Sequence, residues 1–277
     1  MERRTLPGRL SWQRGEVVAT QEETARAKSI TLAIPTWMGH RAGQHVDVRL
    51  TAEDGYQVER SYSIASPPEE VPRVTLTVER LDDGEVSPYL VDELRIGDQL
   101  ELRGPIGGYF VWEASLGSPL LLVAGGSGIV PLMAMLRHRA AVGSSIPTRL
   151  LSSSRSFEDV IYRDELERLV KSSMLLEVVY TLTRVQPPGW TGYARRIDLD
   201  MLREVAWPPD QHPLVFICGP TPFVETTALA FIALQPVQVA CTSVISKGKI
   251  SCSMPAAALP SNLFSIMLLL SVQIVRS

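Results

Sequence analysis

Residues 60–66 read RSYSIAS and bring together a cation, an aromatic ring and alcohols within one short segment. In an extended segment, successive side chains point to opposite faces. The side chains that would share one face are Arg60, Tyr62, Ile64 and Ser66. A cation, an aromatic ring and an alcohol would then converge on one place from one short strand. The alternative is a surface strand at the edge of a sheet.

Residues 124–131 read AGGSGIVP and follow an apolar run that is typical of a buried strand. Gly125, Gly126 and Gly128 would let the backbone approach a phosphate group at the N-terminus of the next helix. Pro131 fits the first turn of that helix, where its missing N–H costs nothing. The spacing departs from G-x-G-x-x-G, so a tight turn without a ligand is the alternative.

The next strand-like segment ends in SSSRSFEDVIYRDEL. In an open α/β sheet, the adenosine ribose of a bound dinucleotide lies at this strand end. An acidic residue there would accept a hydrogen bond from the ribose 2′-hydroxyl group. The chain instead offers Ser154 and Arg155, with Arg163 further on. Guanidinium groups suit phosphate, which favours NADP over NAD. Alternatively, these arginines are solvated charges beside a helix.

Two further segments carry candidate residues. Cys218 in CGPTPFVE ends another apolar strand and could touch a nicotinamide ring, or could be a small buried residue. Ser87 in GEVSPYL is a suitable N-cap, with Pro88 in the first helical position. The N-terminus of that short helix could also receive a phosphate group.

The elements that must position these residues differ between the two halves of the chain. Residues 10–112 contain six strand-like segments and one short helical segment, SPYLVDEL (87–94), which predicts a small antiparallel barrel. The strand-like segments are EVVATQ, SITLAIP, QHVDVRLT, RSYSIAS, RVTLTVERL and DQLELRG.

After residue 117, strands alternate with helices, the pattern of a doubly wound parallel sheet. The segments are PLLLVAGG, IVPLMAMLRHRAA, RLLSSS, EDVIYRDELERLVKS, LLEVVYTLTR, DLDMLREVA, PLVFICGP and TPFVETTALAFIAL. The predicted divisions are a barrel over residues 1–116, an α/β domain over residues 117–234 and an atypical tail over residues 235–277.

Composition excludes several classes of function. The 277 residues are 45% hydrophobic and 21% charged with a net charge of −3, so there is no basic surface for nucleic acid. The three cysteines form neither a disulfide framework nor a metal pair, and the four histidines lack metal-ligand spacing, which predicts a cytoplasmic protein without a bound metal. The N-terminus lacks the apolar core of a secretory signal.

Taken in order, the motifs RSYS, G-x-x-S, GPIGGYF, AGGSGIVP, SSR and CGPTPF resemble those of the ferredoxin–NADP reductase superfamily. The resemblance covers about residues 10–234 and is strongest to compact bacterial flavin reductases that serve a separate oxidase or oxygenase component. It implies an FAD-binding barrel, an NADP-binding α/β domain, and hydride transfer from NADPH to the flavin at their interface.

On the flavin side, the resemblance implies that Arg60 pairs with the FAD pyrophosphate. Tyr62 would lie against the isoalloxazine ring and Ser63 would hydrogen-bond near its N5 atom, although strict alternation places these two on opposite faces. Gly84 and Ser87 would hold the pyrophosphate from the helix end.

In GPIGGYF, Tyr109 and Phe110 are candidate stacking partners for an adenine ring, which favours FAD over FMN.

On the nucleotide side, the resemblance implies three groups of contacts. The NADP pyrophosphate would lie on Gly125, Gly126, Gly128 and Pro131. The 2′-phosphate would be held by Ser154 and Arg155. The nicotinamide would be flanked by Cys218, Gly219 and Pro220. Thr181 and Trp190 also fall at family positions, and the expected catalytic residues are Tyr62, Ser63 and Cys218.

Two departures from the family pattern bear on function. The chain lacks the C-x₄-C-x₂-C spacing of a plant-type iron–sulfur domain, so the predicted electron acceptor is external: an iron–sulfur, flavodoxin, haem or molybdenum component. Alternatives are a reductase of free flavin or small acceptors, and a non-catalytic flavin-binding module.

The second departure is the tail, where the match fades after Leu234. The apolar run from Leu263 to Val275 is shorter than the roughly 20 residues of a membrane span. A shifted reading frame, a structural helix and an anchor are the open interpretations, with membrane association not favoured.

Overall fold

A computed structural model describes residues 10–234 and 238–244 of the chain. The first half forms a six-stranded antiparallel sheet with the strand order β4-β3-β6-β1-β2-β5. Its strands are β1 (Trp12–Thr24), β2 (Ala27–Ala33), β3 (His45–Thr51), β4 (Gln57–Ser63), β5 (Arg73–Glu79) and β6 (Gln99–Ile106). A bridge between Ile64 and Leu76 joins the two outer strands, which closes the predicted barrel.

The alternation of β5 shows why this segment becomes a barrel strand. Val74, Leu76 and Val78 are almost fully buried in the barrel core. Thr75 and Thr77 lie on the other face, where their hydroxyls bond to hydroxyl groups of β2. A one-residue shift in register would move the apolar side chains out of the core, so the pattern fixes the pairing.

The short helix predicted over residues 87–94 is present over residues 87–93, with π-type hydrogen bonding from Tyr89 to Glu93. Ser87 was wrongly predicted as its N-cap, because Ser87 is already the first helical residue. The Ser87 hydroxyl instead accepts a hydrogen bond from the N–H of Leu81 at 3.0 Å. Ser87 therefore closes the loop that begins at Leu81, rather than capping the helix.

The second half is a five-stranded sheet with the order β11-β10-β7-β8-β9, flanked by four helices, as the doubly wound prediction requires. The strands are β7 (Leu120–Gly125), β8 (Thr148–Ser154), β9 (Leu176–Leu182), β10 (Leu214–Pro220) and β11 (Gln238–Val244). The helices are α1 (Ile129–Ala141), α2 (Arg163–Ser172), α3 (Leu199–Val205) and α4 (Thr221–Leu234).

Strand β7 explains why this sheet is covered on both sides. Leu120 and Leu122 pack in a core with α1 and α2, whereas Leu121 and Val123 pack in a second core with α3 and α4. Each buried leucine contributes about 1.5–3 kcal/mol relative to exposure. A continuous apolar run is therefore stable only with helices on both faces.

Two segments differ from the sequence pattern. Helix α2 begins at Arg163 instead of residue 158, because Tyr162 adopts a left-handed conformation with φ of 63°. Strand β11 lies in the segment expected to be an atypical tail, where it pairs in parallel with β10. The remainder of that tail, including the run from Leu263 to Val275, lies outside the described residues.

The barrel and the α/β half are joined by polar contacts as well as by a shared apolar core. Arg137 on α1 donates two hydrogen bonds to Glu165 on α2, at 2.8 and 2.7 Å. It also donates to the carbonyl oxygen of Ala65, just beyond β4. The Tyr162 hydroxyl bonds to the hydroxyl of Thr77 on β5. These contacts fix the position of the RSYSIAS segment relative to α1.

Candidate functional site

The glycine loop between β7 and α1 lies where the strand order reverses, the place at which open α/β sheets bind ligands. Gly126 has φ of +55°, a conformation that favours glycine. A Cβ on Gly128 would lie 2.2 Å from the carbonyl oxygen of Cys218. Only glycine allows this close approach of the loop to the end of β10.

The end of β10 faces the same loop. Cys218 is fully buried and belongs to the apolar core shared with α1. The Phe223 ring covers the next glycine, since a Cβ on Gly219 would lie 2.6 Å from its Cδ1 atom. Pro220 is exposed and lines a cleft beside the ring. Of the three predicted nicotinamide contacts, Pro220 is the one whose side chain reaches the surface of the cleft.

A cleft of about 470 Å³ runs between the barrel and the carboxyl edge of the parallel sheet. Its barrel side includes Thr24, Arg26, Ala27 and Glu79. Its sheet side includes Gly125, Gly126, Ser127, Ser153, Ser154, Arg155, Asp159, Arg196, Pro220 and Phe223. A glycine loop at one helix N-terminus and cations further along fit an extended dinucleotide.

At the end of β8, the two predicted cations, Arg155 and Arg163, have different environments. Ser154 and Arg155 both line the cleft. Arg163 does not, because its guanidinium lies over the Phe157 ring at 5.2 Å and pairs with Asp164 at 3.3 Å. Arg163 is therefore a charge beside a helix, the alternative given above for both arginines, whereas Arg155 lines the cleft.

Thr181 and Trp190 do not line this cleft. Thr181 is fully buried, and its hydroxyl donates to the carbonyl oxygen of Arg195. The Trp190 indole N–H donates to the carbonyl oxygen of Tyr193 at 3.0 Å. Both residues hold the connection between β9 and α3 in place.

The sequence analysis missed Arg196, which lines the cleft from that connection. The sequence carried no clear signal for it, because Arg196 lies late in the long connection between β9 and α3, far from the end of the strand. Sequence alone did not distinguish it from the adjacent Arg195.

The RSYS strand shows the alternation that the sequence predicts. Arg60 and Tyr62 pair with Val48 and Val46 of β3, whose side chains are fully buried in the barrel core. Ser63 lies opposite His45, on the other face of the sheet. Tyr62 and Ser63 therefore diverge within the strand, as strict alternation requires.

Arg60 and the loop that begins at Gly84 meet, as a shared anion site would require. The Arg60 Nη2 atom lies 2.6 Å from the Oε2 atom of Glu85. The Arg60 side chain is 29% exposed, so the guanidinium borders solvent. A Cβ on Gly84 would lie 2.8 Å from the Ser87 hydroxyl oxygen, so a larger residue there would displace this hydroxyl. This donor set fits a pyrophosphate, with a carboxylate now bonded to the guanidinium.

Burial controls the titration of the aromatic and imidazole groups beside this strand. Desolvation raises the pKa of the Tyr62 hydroxyl, and the nearby Arg60 charge only partly opposes this. Desolvation lowers the pKa of His45, partly offset by the charge of Asp47. The Tyr62 ring is therefore neutral at physiological pH, as a stacking surface should be.

The two candidate rings for adenine stacking are in different environments. Phe110 packs edge-on against Phe216 of β10, with ring centroids 5.3 Å apart. Tyr109 is 55% exposed. Phe110 therefore contributes to the contact between the halves, and Tyr109 is the exposed ring of the pair.

Comparison with known protein families agrees with this architecture. The family model of the oxidoreductase FAD-binding domain matches residues 16–111, and that of the oxidoreductase NAD-binding domain matches residues 122–228. Ferredoxin–NADP reductase B of Sorangium cellulosum is 40% identical over 181 residues, which cover 64% of this chain and 73% of that protein. NADH-cytochrome b5 reductase 1 of Aspergillus terreus is 32% identical over 212 residues, covering 72% and 71% respectively.

Solved structures share the fold. The FAD/NAD-binding domain of nitric oxide dioxygenase from Vibrio cholerae has a TM-score of 0.75 at 21% identity, covering 84% of this chain and 98% of that one. The chain belongs to the ferredoxin–NADP reductase superfamily. It is an oxidoreductase with an FAD-binding domain followed by an NAD-binding domain, which confirms the predicted family and fold class.

Within residues 10–234 and 238–244, no helix combines the length and the apolar character needed to cross a bilayer.

Proposed function

We propose that the chain oxidises NADPH, reduces bound FAD and passes the electrons to a separate protein. The observation that carries the proposal is the cleft between the barrel and the parallel sheet. It joins a glycine loop at the N-terminus of α1 to Ser154 and Arg155, the position at which a 2′-phosphate would distinguish NADPH from NADH.

For the nucleotide, Gly126 and Ser127 would receive the pyrophosphate, with Gly125 and Gly128 keeping the loop against the end of β10. Ser154 and Arg155 would hold the 2′-phosphate. Cys218 is buried, so its contribution would be to support Gly219 and Pro220 at the nicotinamide end.

For the flavin, Arg60 would leave Glu85 and bind the pyrophosphate together with the loop from Gly84 to Ser87. Tyr62 would pack against the ring. Because Ser63 lies on the other face of β4, the edge of the ring would have to sit at the rim of the strand for Ser63 to hydrogen-bond near its N5 atom. When bound, FAD would accept a hydride from NADPH and release electrons one at a time. The protein's part is to align the two rings and exclude competing acceptors.

The names of the relatives support an external electron acceptor, but they differ in the nucleotide, so the choice between NADPH and NADH rests on the residues of the cleft. The Sorangium relative is named for ferredoxin and NADP, and the Aspergillus relative for NADH and cytochrome b5. We infer an iron–sulfur, flavodoxin, haem or molybdenum protein as the acceptor. The cations at the second strand end favour NADPH.

The test is to purify the chain, record its visible spectrum, and add NADPH or NADH without oxygen. We expect a flavin spectrum that bleaches faster with NADPH. Faster bleaching with NADH would contradict the nucleotide assignment. A flavin that stays oxidised with both nucleotides would favour a non-catalytic flavin-binding module. A folded, colourless protein that takes up no added FAD would contradict the flavin assignment.

Turnover with added acceptors is the second measurement. Reduction of a protein acceptor such as a ferredoxin or cytochrome b5, faster than that of free FAD or FMN, is expected. The opposite order would make the chain a reductase of free flavin.

A further inference from the structure

Tyr162, the residue before α2, has a backbone conformation that is unusual for a large side chain. Its φ of 63° and ψ of 22° lie in the left-handed region, which is unfavourable for a residue with a Cβ atom. Among the described residues, the other non-glycine residue with a positive φ is His212, which is exposed at a turn. Tyr162 is only 2% exposed, so its surroundings must hold this conformation.

The hydroxyl of Tyr162 is joined to the barrel by a chain of hydroxyl groups. It donates to the hydroxyl oxygen of Thr77 on β5, which lies 2.8 Å from the hydroxyl oxygen of Ser29 on β2. Ser29 donates to the Oε1 atom of Glu23 on β1 at 2.6 Å. Because Ser29 uses its one hydrogen on Glu23, Thr77 donates to Ser29. The chain of bonds therefore runs in one direction, from Tyr162 to a carboxylate.

The ring and the carbonyl group of Tyr162 are also held. The guanidinium of Arg137 lies 4.8 Å from the centre of the ring and donates to the carbonyl oxygen of Ala65. The Tyr162 carbonyl oxygen accepts a hydrogen bond from the Leu166 N–H at 2.8 Å, which begins α2. Tyr162 is therefore fixed at once by the barrel, by α1 and by its own helix.

The connection that ends at Tyr162 forms part of one wall of the cleft. Residues 155–162 join β8 to α2, and Arg155, Asp159 and Ile161 of this connection line the cleft. On the opposite wall, Glu79 lies two residues after Thr77 on β5. The bond between Tyr162 and Thr77 therefore ties the two walls of the cleft together.

We propose that Tyr162 is a strained latch between the barrel and the α/β half. The Thr77 hydroxyl keeps Tyr162 in its left-handed conformation. When this hydrogen bond breaks, Tyr162 relaxes to an ordinary backbone conformation and residues 155–162 rearrange, which opens the cleft on the side of the α/β half. The inference goes beyond the proposed function, because the latch requires no particular ligand.

The experiment is hydrogen–deuterium exchange of the full chain, measured by mass spectrometry. We expect Thr77→Val to raise exchange in peptides that cover residues 156–166 by about tenfold, as for the loss of a hydrogen bond that limits a local opening. Peptides from β7 and α1 should change by less than about twofold. Tyr162→Phe should have the same effect as Thr77→Val. The double variant should exchange no faster than either single variant, since both remove one contact.

Thr75→Val is the matched control, because Thr75 lies on the same face of the same strand and its hydroxyl bonds to Thr31 within the barrel, at 3.0 Å. Thr77→Ser should keep the protection, since it keeps the hydroxyl. Unchanged exchange over residues 156–166 in Thr77→Val would overturn the latch. An equal rise in Thr75→Val, or an equal rise along the whole chain, would also overturn it, because either would show a general loss of stability.

Binding of NADP⁺ to the full chain by calorimetry tests whether the latch shapes the cleft, and this measurement alone rests on the proposed function. We expect Thr77→Val, but not Thr75→Val, to weaken binding by about three- to tenfold, with FAD content unchanged. Raised exchange with unchanged NADP⁺ affinity would contradict the effect on the cleft. If the unaltered protein binds no NADP⁺, the proposed function fails, and the exchange measurement still decides the latch.

Discussion

The Nη1 atom of Arg137 lies 2.8 Å from the carbonyl oxygen of Ala65, two residues beyond Ser63. A side chain of the nucleotide-binding half thus holds the backbone of the strand proposed to carry the flavin. The same guanidinium is fixed by a two-point contact to Glu165. Arg137 is therefore one of the groups that set the relative position of the two halves, together with the Tyr162–Thr77 hydrogen bond and the shared apolar core.

Replacement of Arg137, alone and together with Glu165, should distinguish its effect on stability from its effect on kcat. Arg137→Met leaves the half-buried Glu165 without its partner, so we expect a loss of about 1–3 kcal/mol in the free energy of unfolding by urea. The double variant Arg137→Met, Glu165→Met should recover much of that stability but not kcat, because the Ala65 contact stays lost. Recovery of both in the double variant would show that Arg137 has no positioning role.

Glu85 should compete with the FAD pyrophosphate for Arg60. Because exposed ion pairs contribute about 0.2–1 kcal/mol, Glu85→Gln should tighten FAD binding to the apoprotein by about two- to fivefold. Arg60→Gln should weaken it. The measurement is quenching of FAD fluorescence during titration.

Glu59→Gln is the control for this pair, because the Glu59 carboxylate contacts Arg103, and only the Glu59 backbone carbonyl, which the substitution keeps, bonds to Arg60. FAD affinity that is unchanged in Arg60→Gln would contradict the proposed pyrophosphate contact.

His40 should make stability depend on pH. Its Nδ1 atom accepts from the Trp37 indole N–H at 3.2 Å, so the proton lies on Nε2, which donates to the Ser66 carbonyl oxygen at 3.0 Å. Burial lowers the pKa of His40, although Ser66 and Glu69 oppose the shift. The unfolded chain therefore binds more protons as pH falls through about 6.5, and the folded state loses stability.

The check is urea unfolding at pH 7.5 and 5.5. We expect a smaller loss on acidification in His40→Gln than in the unaltered protein. Burial raises the pKa of Glu23, which acts in the opposite direction, so the difference between the two proteins isolates His40. Equal losses of stability in the two proteins would contradict a difference in the pKa of His40 between the folded and the unfolded chain.

Gly128→Ala should be costly, because the new Cβ would meet the backbone of Cys218 and Gly219 at 2.2–2.6 Å. Backbone atoms cannot move aside as a flexible side chain can, so we expect a loss of about 3 kcal/mol in the free energy of unfolding. Gly108→Ala is the matched control, because its nearest contact is a side-chain atom of Arg41 at 3.8 Å. Similar stabilities for the two variants would contradict the close approach.

The sequence by itself determined the architecture and the general position of the site. The alternating residues of β5 can bury only one face, and the continuous apolar run of β7 needs cover on both, so barrel and parallel sheet follow from local pattern. Because the same patterns mark where β7 and β8 end, they also place the glycines after β7 and the arginine after β8 at the ends of these strands. NADP as the nucleotide and the identity of the acceptor stay predictions.

The tertiary structure decided which neighbouring residues are available to a ligand. Arg155 and Arg163 look alike in sequence, as do Arg195 and Arg196, but in each pair one is held by an acid and a ring. The hydroxyls of Thr181 and Ser87 bond to backbone groups in this structure, and their predicted contacts with a ligand stay predictions. These assignments depend on contacts between residues distant along the chain, or on the exact start of a helix, neither of which periodicity specifies.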